Sequence, residues 1–481
     1  MEDLIHPFLK YYTAAPQWIK SSIGGVYARF PTRLRYGARY DDFMHDIERS
    51  IHDPEWTERR ANEKLIETLR WAVDTVPAYA SVQSQLRAGM SGVEMLAHFP
   101  LLEKASLKSQ PEAYLSSAMP ARARLVAHTG GSTSIPMKLY LEKYVSRSKD
   151  FAYNGTFDSV AGIGPGDCIL ALRGRTVPGA DRPDGPIWMY DPIKRYLHLS
   201  SDHLEPPHMA RYVAAAREWR PTFIHAFPSA LVPLAKWLEA HPAPDVTERI
   251  RCVQLFSENV YDYQIDLIRR VFNCPVLLDY GHTERAVKAI SLPDDARYFF
   301  WPLYGKLELV DFQGQPVTRP GELGEIVATG FDNRVMPLVR YRTGDLAMWS
   351  AAPNTLRPGF AAVDRIEGRL QEFLVCREQR LVSICTIGAA HFEQLADADR
   401  MQFEQREPGK ALLKVLSETD LSSAAKEKLA AGIRSKTQGG LDVEIVRVDQ
   451  IERTSSGKHK LLVQHLNISH YLGASHVMED S

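Results

Sequence analysis

Apolar positions along the chain set the first expectation. Across DPEWTERRANEKLIETLRWAVDTVP, Leu65, Ile66, Leu69, Val73 and Val76 fall on one stripe at helical spacing. Asp53 offers a side-chain oxygen as N-cap, Pro54 suits the first helical position, and Pro77 stops the run. Residues 1–100 read throughout as a helical packing layer. Beyond residue 120 the period changes. CILAL (168–172), TFIHAF (222–227), CVQLF (252–256) and PVLLDY (275–280) are short apolar runs rich in strand formers. They alternate with the helical patterns PHMARYVAAAREW, SALVPLAKWLEAH and YDYQIDLIRRVF.

That alternation predicts parallel strands with helical crossovers, whose ligands gather at the carboxyl ends of the strands. PSA (228–230), SEN (257–259) and GHTE (281–284) stand at those ends and should converge. Residues 300–350 are more purely β, with KLELVD, GELGEIVATG and MPLVRYRTGDLAMW. After residue 372 comes a smaller unit with ALLKVL, a helix across SSAAKEKLAAGIRSK and the strand DVEIVRV. The expected class is α/β, with a large N-terminal domain (1–371) of mostly parallel sheets and helices plus a β-rich part. A small mobile α+β C-terminal domain (372–481) completes it.

Composition narrows the class of protein. The chain has 481 residues, 44% hydrophobic and 24% charged, as in soluble globular proteins. A net charge of −1 with no long basic run gives no electrostatic support to a nucleic-acid or membrane partner. The start, MEDLIHPFLKYY, lacks the basic and apolar regions of a signal peptide. Five scattered cysteines without a C-x-x-C pair argue against a disulfide framework and for a reducing cytoplasm.

Four stretches carry candidate chemistry. HTGGSTSIPMK (128–138) is either a cradle of backbone N–H groups and hydroxyls for phosphate, or a polar turn between two strands. It lacks the Gly-Lys-Ser/Thr ending of a Walker loop. YGHTE (280–284) puts an aromatic ring, a hydroxyl and a carboxylate at the end of a strand. RYRTGDL (340–346) sets Asp345 behind a Thr-Gly turn, and RTSSGKHK (453–460) sets Lys458 on a Ser-Ser-Gly turn. Each stretch taken singly reads equally well as an ordinary turn.

In this order and spacing the stretches resemble the adenylate-forming ligase superfamily. The likeness extends to its phenylacetate–CoA ligase branch and that branch's capsular-polysaccharide-biosynthesis relatives. ETLRWAVDTVPAY, HFPLLEKASLKSQ, PTFIHAFPSAL, LFSENV, MPLVRYRTGDLA, RIEGRLQEFLV and RTSSGKHKLLV extend the match over most of the chain. The resemblance implies formation of an acyl adenylate from ATP and a carboxylic acid, followed by transfer to an acceptor, usually CoA. It implies that Thr129, Gly130, Gly131, Ser132 and Thr133 cradle the β,γ-phosphates. Ser257, Glu258 and Asn259 would border the adenine, with Tyr280 and Gly281 alongside. Thr283 would contact the α-phosphate, Glu284 would hold Mg2+, and Asp345 with Arg369 would take the ribose hydroxyls. Lys458 would bridge the α-phosphate and the attacking carboxylate, and Glu372 stands at the hinge. His225, Phe227, Ser229 and His282 would line the acyl pocket, whose aromatics suit an aryl or similar small acid.

The sequence departs from its relatives at three places. Ser134 replaces a glycine, with Ile135 behind it; Glu378 and Gln379 replace glycine beside the expected thiol tunnel; and His282 replaces a Met or Cys. The second place keeps an amine, hydroxyl, carrier-protein thiol or nitrogen oxyanion open as the acceptor. A degenerate nucleotide-binding scaffold is the remaining alternative, and the oligomeric state, monomer or homodimer, stays open.

Overall fold

The computed structural model describes residues 20, 23, 27, 30–128, 137–164, 166–173, 177, 180, 185–201, 203–204, 206–369, 372–384, 387, 400–417, 419–452 and 461–471. After a short helical turn at Thr32–Tyr36 come helices α1 (Tyr40–His52) and α2 (Pro54–Thr75). Asp53 caps α2 as its sequence predicts, its carboxylate accepting from the Trp56 N–H at 3.0 Å. Leu65, Leu69 and Val73 are buried in a cluster with Phe99, Phe331 and Val339, which seats α2 on the body of the protein. Strands β1 (Arg124–His128) and β2 (Lys138–Glu142) form an antiparallel pair, His128 opposite Lys138. Helix α3 (Ser146–Ala161) follows.

The central sheet holds, among the described residues, twelve strands. Its parallel part comprises β3 (Ile169–Leu172), β5 (Tyr196–Leu199), β6 (Phe223–Ala226), β7 (Cys252–Phe256) and β8 (Val276–Gly281). Strand β4 (Trp188–Asp191) lies antiparallel at the edge beside β5. Helices α4 (Pro206–Trp219), α5 (Pro228–Ala240) and α6 (Asp262–Phe272) supply the crossovers. They cover one face through Met209, Leu231 and Ile268, while α1 and α3 cover the other through Phe43, Tyr153 and Phe157.

Beyond β8 the sheet continues without a break but turns antiparallel. It adds β9 (Lys288–Leu292), β10 (Asp295–Phe300), β11 (Gly305–Val310), β12 (Leu323–Gly330), β13 (Tyr341–Trp349) and β14 (Ala361–Arg369). The order is β11-β12-β13-β14-β10-β9-β8-β7-β6-β3-β5-β4. The parallel and β-rich parts of the sequence are thus two halves of one sheet. Four strand spacings separate β8 from β13, about 19 Å if the sheet were flat. Side chains of β8 and β13 nevertheless hydrogen-bond, so the antiparallel half curls back over the carboxyl ends of the parallel half. Register shifts in the β9–β10 and β13–β14 pairs accompany the curl.

After residue 372 a short hairpin pairs β15 (Phe373–Val375) with β16 (Leu381–Ser383). A four-stranded sheet follows, of β17 (Arg400–Glu407), β18 (Lys410–Leu416), β19 (Asp442–Val448) and β20 (Leu462–Gln464), ordered β19-β18-β17-β20. Helix α7 (Ser423–Lys436) buries Leu429 and Ile433 in the core beneath it.

Candidate active site

The turn after β8 holds the most heavily determined carboxylate of the candidate residues. Tyr341 Oη donates to Glu284 Oε1 at 2.7 Å, and Lys104 Nζ stands 3.8 Å from the same oxygen. His282 Nδ1 bonds Oε2 at 3.2 Å. Burial alone would raise the carboxyl; the His282, Lys104 and Tyr341 contacts outweigh it and hold Glu284 at about 2. Glu284 is therefore an acceptor, which makes His282 Nδ1 the donor. The other ring nitrogen, Nε2, is buried without a hydrogen-bond partner. Between these two residues Thr283 is exposed.

Two elements brace this turn. Arg285, at φ +54°, donates to Ser146 O at 2.7 Å and Ser146 Oγ at 3.0 Å, and pairs with Asp150 at 3.1 Å. The turn is thereby fastened to the first residues of α3. Gly305 lies beneath it, so close that a Cβ there would come within 1.9 Å of Ala286 O.

Tyr280, at the end of β8, donates its hydroxyl to Asp345 Oδ2 at 2.8 Å. Asp345 follows Gly344, whose φ of +80° lies within β13 where the register against β12 shifts, so the Thr-Gly pair forms a bulge inside a strand and not the turn expected of it. The Gly344 N–H donates to Glu325 Oε1 at 3.0 Å, and the Asp345 N–H to Thr343 Oγ1 at 3.1 Å. Arg369 stands opposite Asp345 in the β13–β14 register. Motifs 61 residues apart in sequence, at 280–284 and 341–345, therefore meet in one place.

The loop after β7, expected to border the adenine, is tied to two other elements. Ser257 sits at φ +64°. The Glu258 carboxylate accepts from the Ser229 N–H and Ser229 Oγ, both at 3.0 Å, at the N-terminus of α5 where an anion is favoured. Asn259 Nδ2 donates to Glu372 Oε2, and the bond lies over Gly368, at φ +94°. The expected adenine border, pocket residue Ser229 and hinge residue Glu372 are thus linked in pairs.

His225 and Phe227 flank the Phe256 ring, with centroids at 4.1 and 5.2 Å. Gly281 closes β8, with Lys288 Nζ 3.8 Å from where its Cβ would be. The stretches with Thr129, Gly130, Gly131, Ser132, Thr133 and Ser134, and with Lys458, lie outside the described residues, as does the Arg369 side chain. Sequence reasoning missed Lys104 and Tyr341 as partners of Glu284. Tyr341 lies inside the RYRTGDL motif, where a second aromatic beside the aspartate was the available signal; Lys104 carries none.

Glu284 suits a Mg2+ ion. It is ionised, and a carboxylate has lone pairs beyond those its two present donors use. Among the described residues no group of three or more His, Cys, Asp or Glu side chains could hold a metal. A Mg2+ held by one carboxylate and substrate phosphates needs no such group.

No protein-family model matches the chain. It is similar to Protein CapK of Staphylococcus aureus, 22% identical over 345 residues, covering 70% of this chain and 74% of that protein. It is also similar to a phenylacetate-coenzyme A ligase of Pseudomonas putida, 24% identical over 359 residues, covering 70% and 77%. Among solved structures, 2-hydroxyisobutyryl-CoA ligase in the postadenylation state shares the fold at a TM-score of 0.65 and 17% identity, over 89% of this chain and 93% of that one. Sequence relatives, shared fold and motifs in order agree in supporting a likeness to the adenylate-forming ligase superfamily.

Proposed function

We propose that the protein activates a carboxylic acid with ATP and passes the acyl group to CoA. In the first step a carboxylate oxygen forms a bond to the α-phosphorus and the bond to the β-phosphate oxygen breaks. Pyrophosphate leaves, and a poor acyl donor becomes an acyl adenylate. In the second step the acceptor attacks the acyl carbon and AMP departs.

The observation that carries this reading is the meeting of Tyr280, Asp345 and the ionised Glu284 where the sheet curls over its own strand ends. Asp345 there suits the ribose hydroxyls, with Arg369 opposite it in register and Tyr280 beside the adenine. Glu284 would hold Mg2+ together with phosphate oxygens, and the ion would neutralise charge on the departing pyrophosphate. Thr283, exposed between His282 and Glu284, is free to meet the α-phosphate. Residues 129–133 would cradle the β,γ-phosphates, and Lys458 would stand between the two anions that must approach each other. Glu372 would serve as the hinge of a small domain beginning at residue 372.

Lys458→Ala tests the reading. Acid-dependent pyrophosphate release should fall by about 100-fold or more with the thermal transition unmoved. Full pyrophosphate release in that variant would sink the assignment.

A second reading keeps adenylation but changes the acceptor. Between β15 and β16, Gln379 occupies φ +59°, a backbone position that favours glycine, and Glu378 beside it is exposed. These side chains crowd the turn expected beside a CoA thiol and favour an amine, hydroxyl, carrier-protein thiol or nitrogen oxyanion. AMP release that depends on CoA, with any acid the protein accepts, would eliminate this second reading.

A further inference from the structure

The segment that ends β8 and the start of β13 exchange tyrosine hydroxyls. In YGHTE, Tyr280 and Glu284 stand four positions apart; in YRTGD, Tyr341 and Asp345 do the same. Tyr280 donates to the Asp345 carboxylate at 2.8 Å, and Tyr341 donates to the Glu284 carboxylate at 2.7 Å. Each motif therefore supplies a donor to the other motif's carboxylate, and two bonds cross-link the segments.

The groups around Glu284 are not equivalent. His282 belongs to the same turn, so its bond to Oε2 travels with the carboxylate. Lys104 is half-exposed and stands 3.8 Å from Oε1, beyond hydrogen-bond range, where it supplies charge but little direction. Tyr341 comes from a different strand and is fully buried. Its backbone is paired with Ala328 of β12 and bridged in parallel by Leu102. Around that bridge the Leu102 N–H donates to Arg340 O at 2.9 Å and the Arg342 N–H to Leu102 O at 3.0 Å. The Tyr341 ring shares a core cluster with Leu102, Leu107 and Leu139. A hydroxyl on so fixed a ring sets the direction of the carboxylate it meets.

We propose that Tyr341 is a positioning residue for Mg2+: its hydroxyl holds the Glu284 carboxylate in the orientation in which it takes the ion. The inference rests on Glu284 as the Mg2+ ligand of the adenylation reading above, and adds the residue that fixes it. Mg2+ demands near-ideal octahedral geometry, so an oxygen ligand free to turn serves it poorly. The direction of the effect separates two roles. Were the hydroxyl only a competitor for a carboxylate lone pair, its removal would tighten metal binding. For a hydroxyl that orients the ligand, removal weakens metal binding, by about 10- to 100-fold for a partner of this kind.

The test is Tyr341→Phe, which removes one oxygen and keeps the ring, with a cooperative thermal transition to verify that the variant is folded. Mn2+ replaces Mg2+, and its binding to the full chain is titrated by electron paramagnetic resonance at saturating α,β-methylene-ATP, whose α–β linkage cannot be cleaved. The Kd for Mn2+ should rise about 10-fold or more. In pyrophosphate release, the Mg2+ concentration for half-maximal rate should rise by a like factor, with kcat largely recovered at saturating Mg2+. With Glu284→Gln already in place, adding Tyr341→Phe should change the Mn2+ Kd by less than about 2-fold, because the hydroxyl acts through that carboxylate. Unchanged or tighter Mn2+ binding in folded Tyr341→Phe overturns the positioning role, and so does an equal loss in both backgrounds. Mn2+ binding that Glu284→Gln alone leaves intact removes Glu284 as the metal ligand, and with it the reading on which the inference rests.

Discussion

Substituting Glu284 by Gln keeps the side chain's shape and removes its charge. The folded protein holds this carboxyl at about 2 against an ordinary 4.5. The difference corresponds to roughly 3 kcal/mol of stability, at about 1.4 kcal/mol per unit. The folded-state value is depressed, so this stability is fully present above pH 4.5 and is lost as pH falls toward 2. By pH 3 about 2 kcal/mol of it should be gone, because the unfolded chain is by then almost fully protonated at this position. Urea unfolding of the native protein and of Glu284→Gln, repeated from pH 7 to pH 3, isolates the contribution, since all other carboxylates are common to both. The gap between the two should narrow by about 2 kcal/mol over that range. A gap that does not change with pH would refute the account of Glu284 as a buried, paired carboxylate. The same variant should lose pyrophosphate release at pH 7, where the charge that would hold Mg2+ is missing.

Two further substitutions probe what holds the turn in place. Asp332 lies between Lys64 Nζ at 2.8 Å and Lys149 Nζ at 3.3 Å, both lysines being buried. Asp332→Ala leaves two ammonium groups without their counter-ion and should cost about 3–5 kcal/mol in urea unfolding at pH 7; a cost below about 1 kcal/mol would show the pair to be dispensable. Gly305→Ala drives a Cβ to within 1.9 Å of Ala286 O and 2.8 Å of Thr329 O, both backbone atoms that cannot swing aside. It should lower stability by about 2 kcal/mol or more and displace the Glu284 turn, seen as reduced pyrophosphate release; wild-type stability and activity would contradict the contact.

Much of the architecture was legible because local rules and tertiary packing agree. The stripe on α2, its Asp53 cap and the four apolar runs that became β3, β6, β7 and β8 needed no long-range information. Strands β4 and β5 were not anticipated: WMYD and YLHL are four residues each, too short for a period of two to stand out. The curl of the sheet was equally hidden, because a hydrogen bond between β8 and β13 depends on accumulated twist. Residues 280 and 345 were each recognised as candidates, but their direct bond was not. Glu258, expected to border the adenine, also accepts two hydrogen bonds from Ser229 at the start of α5, a contact that no local pattern signals.

The bond from Asn259 to Glu372 links the loop after β7 to the proposed hinge. A hydrogen bond to a charged group is worth about 1.5–3 kcal/mol net. Any rotation about residue 372 that separates these side chains forgoes that energy, which corresponds to a bias of roughly 10- to 100-fold between two domain orientations. If residue 372 is the hinge proposed above, one amide and one carboxylate join the loop after β7 to the start of the small domain.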